Sequence, residues 1–113
     1  MTVRRIAAHL LWTPGGIVRH PVAEVGEYGD VRWIGTSADP DREPFTAFFA
    51  GLLVPDFPRD FRAVFARMQM QLDIPLAEAL AAVVTPGCGV PVVISGLDYE
   101  TLRLTPHSCI MKV

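Results

Sequence analysis

The chain has 113 residues, half of them apolar, with a charged fraction of 19% and a net charge of −2. That is core material for one domain, since two separate cores would each be too small to stand without staples, and the apolar content excludes a disordered chain. Basic and acidic residues are interspersed, which excludes the electrostatic footprint of a nucleic-acid or anionic-membrane binder, and no apolar run approaches the roughly 20 residues of a membrane span.

The opening stretch MTVRRIAAHLLWTPGG sets two arginines before a short apolar run. His9 interrupts that run and no small-residue cleavage pattern follows, so residues 3–12 read as a first strand rather than a signal peptide. TPGG then turns the chain into a hairpin, because Pro14 presets its φ and two glycines accept left-handed backbone. Residues 17–26 continue in extended form, with His20-Pro21 biased away from helix. EYGD turns again, and VRWIG at 31–35 alternates with Val31, Trp33 and Gly35 on one face. The first third is therefore expected to be an antiparallel meander. The polar TSADPDREP follows as a solvated loop, and FTAFFAGLLVP at 45–55 is apolar chain with a bulge or kink at Gly51.

From Asp56 or Phe57 the period changes. Pro58 suits a first helical turn, with Asp56 as N-cap, and Phe57, Phe61, Val64, Phe65, Met68 and Leu72 make one continuous helical stripe ending near Asp73. Pro75 starts a second helix whose Leu76, Ala79, Leu80 and Val83 share a face. VPVVISG at 90–96 is β-branched strand, with Pro91 lacking a ladder donor. LDYETLRLTP reads as a turn or short helical piece, and SCIMKV closes as a last strand. The expected class is α+β: a small composite β-sandwich or mixed sheet formed by both chain ends, with a central two-helix insertion.

Groups that carry chemistry are sparse. His9, His20 and His107 have no ligand spacing. Asp39, Asp41 and Glu43 alternate in a loop but lack the glycine and closing glutamate of a calcium site. Asp56 and Asp60 fit helix-terminal roles. Ser37, Ser95 and Ser108 have no Gly-x-Ser-x-Gly elbow. Cys88 and Cys109 have no paired spacing and read as free, inert thiols of a cytoplasmic protein. Phe45, Phe48, Phe49, Phe57, Phe61 and Phe65 read as core. No catalytic residue, metal ligand or cofactor site is assigned.

The segments RRIAAHLLWTPGGIV, VGEYGDVRWIG and FTAFFAGLLVPDF, with the closing VPVVISGLDYETLRLTPHSCIMKV, resemble the two ends of the metal-dependent amidohydrolases of the cytosine deaminase and chlorohydrolase group. In that family the ends form a composite β-sandwich, and a metal-bearing (β/α)₈ barrel of about 250 residues is inserted between them. The family places a His-x-His metal pair just beyond its Val-Pro-Gly-Phe phrase. Here Val54-Pro55-Asp56-Phe57 runs into Pro58-Arg59-Asp60-Phe61-Arg62, without histidine. FRAVFARMQMQLDIPLAEALAAV resembles the family's last helices, whereas its Pro-Gly-Lys-x-Ala-Asp phrase is replaced by Pro86-Gly87-Cys88-Gly89.

The resemblance implies a non-catalytic, barrel-less relative that serves as a structural or protein-interaction module. A homodimer is expected, through Phe57, Phe61, Phe65, Met68, Leu72, Leu76 and Leu80 of the helical stripes or through an edge strand, with a full-length amidohydrolase as another partner. The alternatives are a residual metal-dependent hydrolase or deaminase using Asp56, Asp60 and a histidine, and a small-ligand-binding protein.

Overall fold

A computed structural model describes residues 4–26, 31–36, 46–85, 87 and 89–113. They form an α+β unit, β1(Arg4–Thr13), β2(Gly16–Arg19), β3(Pro21–Val25), β4(Val31–Thr36), β5(Thr46–Phe57), α1(Phe61–Gln69), α2(Leu76–Val83), β6(Val90–Ser95) and β7(Cys109–Lys112). Among the described residues no helix is long and apolar enough to cross a membrane.

Of the two expected forms, sandwich or mixed sheet, the described strands adopt one mixed sheet. Its order is β4-β3-β1-β5-β6-β7, with β2 also paired to β1. Both chain ends meet on β5, which pairs parallel with β1 and antiparallel with β6. The TPGG hairpin forms as expected, and the extended stretch after it breaks at His20, where φ is +52°. The register against β1 is the same on both sides of that break, from Arg4↔Val25 to Thr13↔Gly16, so β2 and β3 act as one bent strand.

The bend decides which face each residue of β1 serves. Ile6 and Ala8 belong to one apolar cluster, whereas Leu10 and Trp12 belong to the other, so the period-2 pattern slips near His9. At the same level β5 carries an extra residue against β1, between Phe49 and Leu52, and Gly51 sits there at φ +143°. The bulge expected at Gly51 is thus present. Val31, Trp33 and Gly35 do not share uninterrupted alternation, because pairing of β3 with β4 shifts between Val22↔Gly35 and Ala23↔Trp33.

The larger core lies between the sheet and the two helices. It joins Leu10, Trp12, Leu52, Val54, Phe57, Val92 and Ile94 of the strands to Val64, Phe65, Met68, Leu76 and Leu80 of α1 and α2. The smaller core, on the opposite face, contains no helical residue and draws Ile6, Ala8, Leu11, Ala23, Val25, Leu53 and Val93 together. Val31 of the edge strand β4 packs against it beside its ladder partner Val25.

The first helix is shorter than its stripe predicts. The chain stays extended through Phe57, which pairs with Val90, so Asp56 lies in a β-bulge at φ +61° and is not a helix cap. Asp60 takes the N-cap position, without a side-chain cap bond, and its carbonyl accepts from Val64 N–H at 3.1 Å. The second helix follows Pro75 as expected, and its first N–H, on Leu76, donates to the carbonyl of Leu102 at 2.9 Å. Pro91 enters the interior strand β6 opposite the register shift between Val54 and Phe57, where a missing N–H is tolerated.

The stretch 97–106 contains no helix. Asp98 and Arg103 pair as an isolated bridge, and the Asp98 carboxylate accepts from the N–H groups of Glu100 at 3.0 Å and Thr101 at 3.3 Å. The Thr101 hydroxyl first, then those N–H groups, hold the Asp98 carboxyl below its ordinary value.

Candidate functional site

The parallel pairing of β1 and β5 brings their carboxyl ends side by side, and a groove of about 220 Å³ opens there. Leu11, Trp12, Thr13 and Pro14 line it from β1 and its turn, and Pro55 and Asp56 from β5. Val84 closes it beyond α2, and Val31 and Trp33 arrive from β4 because the sheet curls.

Three features fix its chemistry. Trp33 is 50% exposed, and its Nε1–H donates to the carbonyl of Gly35 at 2.6 Å, which holds the indole in place. The Thr13 hydroxyl donates to the carbonyl of Gly16 at 2.6 Å, so that donor is also used. Asp56 is half-buried, and among the described residues no hydrogen bond or ion pair engages its carboxylate. Its backbone is braced by Gly89, where a Cβ would come within 2.6 Å of the Asp56 carbonyl carbon. Asp56 is one of few side-chain types that tolerate the left-handed conformation it adopts.

The residues singled out from sequence are scattered. The ring of His9 packs edge-on against Phe48 at 5.1 Å and Tyr99 at 5.9 Å, and burial raises the Tyr99 phenol. His20 stands at the strand break, donating its N–H to the carbonyl of His9 at 2.9 Å. His107 is exposed near the last turn, where its N–H donates to the Thr105 hydroxyl at 3.2 Å. Among the described residues no three His, Cys, Asp or Glu side chains gather as a metal site.

Ser108 is a structural residue. Its hydroxyl donates to the carbonyl of Gly96 at 2.9 Å and accepts from Thr105 N–H at 2.8 Å. Gln69 of α1 donates to the carbonyls of Ser108 at 2.9 Å and Thr105 at 3.3 Å, which ties the helix to the approach of β7. Ser95 pairs with Cys109, an exposed free thiol, in the β6–β7 ladder. Ser37, Asp39, Asp41, Glu43, Phe45 and Cys88 lie outside the described residues.

The interface expected on the helical stripes is corrected by burial. Phe57, Phe65, Met68, Leu76 and Leu80 are buried in the molecule's own core, and Phe61 and Leu72 pack against it. The stripe found its partner in the sheet.

The groove was missed in sequence because it depends on the parallel register of β1 with β5 and on the curl that brings β4 over. The available signal was two tryptophans beside turn residues, in LLWTPGG and VRWIG, and an acidic residue after Pro55. Comparison with family models, curated proteins and solved structures returns no match to this chain.

Proposed function

We propose that the chain is a non-catalytic structural or protein-interaction module of the cytoplasm, related to the sandwich portion of the metal-dependent amidohydrolases, and that it works as a homodimer. The observation that supports this reading is the passage from β5 into α1. Only residues 58–60 separate strand from helix, and both helices then lay their apolar stripes on the sheet. In the resembled family the same phrase opens into the metal-bearing barrel. A chain that fills that place with its own core has its edges to offer to a partner.

Edge strand β7 is the surface this reading uses. Cys109, Met111 and Lys112 are exposed there, with Met111 at 50%. A second copy of β7 in antiparallel pairing would extend the sheet across a twofold axis, with main-chain hydrogen bonds supplying affinity. Light scattering on untagged protein at micromolar concentration is expected to give twice the chain mass. A Lys112→Pro variant, which removes an N–H that faces the open edge because the N–H groups of Val113 and, by alternation, Met111 face β6, is expected to give the monomer. A monomeric wild-type protein would contradict the reading.

A further inference from the structure

The groove at the ends of β1 and β5 combines an aromatic face with a carboxylate that no described residue pairs, and we propose that it binds a small quaternary ammonium compound. Its volume of about 220 Å³ lies below the roughly 300–1,000 Å³ of sites for drug-sized ligands, so the occupant has few atoms.

Charge and hydrogen-bonding capacity then select its class. Among the described residues that line the groove there is no Arg, Lys or His, and Asp56 is their one formal charge. An anion would therefore meet only repulsion from a charged neighbour. The indole N–H of Trp33 and the hydroxyl proton of Thr13 are committed to backbone carbonyls, which leaves the π surface of Trp33 as a principal contact. A π face attracts a cation through the ring quadrupole, and aromatic surfaces are the usual means of holding quaternary ammonium groups. A primary ammonium would bring three N–H donors needing acceptors, whereas most of this lining is Leu, Trp, Pro and Val. A quaternary nitrogen has none to satisfy.

The backbone at Asp56 fits this role. Holding a non-glycine residue at φ +61° costs energy that an ordinary strand end avoids, and such strain concentrates where a side chain must be aimed. The bulge and the close approach of Gly89 hold the Asp56 backbone at the groove.

The test is a titration of ¹⁵N-labelled protein with choline, and separately with 3,3-dimethylbutan-1-ol, its uncharged isostere, followed at the Trp33 indole N–H resonance. Choline is expected to give a saturable shift and the alcohol a markedly weaker one. Asp56→Asn keeps a residue that accepts left-handed backbone, so it removes charge without the fold, and is expected to weaken choline about 5- to 10-fold. Trp33→Leu is expected to weaken it about fivefold. Absence of a saturable choline shift, equal binding of the alcohol, or an Asp56→Asn protein that binds choline like the wild type would each overturn the proposal.

Discussion

A Gly51→Ala protein is expected to lose about 3 kcal/mol or more of folding stability, enough to leave a marginal domain largely unfolded near body temperature. Two costs add at this position. The residue sits at φ +143°, a conformation that side chains with a Cβ rarely adopt. The added Cβ would also overlap the carbonyl oxygen of Ile94 and stand 3.0 Å from its carbonyl carbon. Those atoms belong to β6, the interior strand paired with β5, so they cannot retreat like the tip of a flexible side chain. Either the pairing of β5 with β6 opens or the bulge against β1 is lost. Urea unfolding followed by circular dichroism measures the loss. A midpoint equal to that of the wild type would show that the bulge at Gly51 is not built as described.

Phe57→Ala is expected to cost about 3–5 kcal/mol, the usual range for removing a buried aromatic ring. Phe57 is 0% exposed and is the last residue of β5, where it pairs with Val90 and enters the core under the helices. It ties the strand end to the bridge that follows. Its loss leaves a cavity beneath α1 and α2 whose lining includes fixed strand residues and cannot collapse fully. The contrast with the interface expectation makes this substitution informative. A partner-facing Phe57 would be dispensable for the stability of the isolated chain, and its replacement would change only the mass in solution. A core Phe57 changes the unfolding midpoint first. Urea titration of dilute protein separates the two, and a stability change under about 0.5 kcal/mol, typical of surface substitutions, would contradict its placement.

Much of the architecture was legible in the sequence because it rests on local rules. Pro14 with two glycines specifies a hairpin turn, Pro75 stands just before α2, and the apolar spacing in each helix gives one stripe. The β-branched run of β6 reads as a buried strand and the apolar β5 stretch as buried in part, and the buried residues are 91–94 and 51–54 with Phe57. The parts that were not legible depend on pairing between distant segments. The parallel register of β1 with β5 decides that Trp12 and Asp56 share a groove, and nothing local encodes it.

The start of α1 was misread for a related reason. Pro58 two residues after Asp56 is a good helix signal, yet pairing of Phe57 with Val90 keeps the chain extended through Phe57, and α1 starts only at Phe61. A tertiary ladder outweighed a local cap. The interface on the helical stripes failed differently. An apolar stripe states that something covers it and not what does, and here the curled sheet covers it from within the same chain. The strand break at His20 and the shift between Trp33 and Gly35 have no composition signal beyond a proline and a glycine nearby.

The proposed function takes the packed helical bridge that follows Leu52-Leu53-Val54-Pro55 to stand in place of a metal-bearing barrel, with no catalytic metal bound. Elemental analysis of untagged protein, purified without chelator, tests it most directly. No transition metal in proportion to protein is expected. One zinc or iron ion per chain, retained through gel filtration, would contradict it.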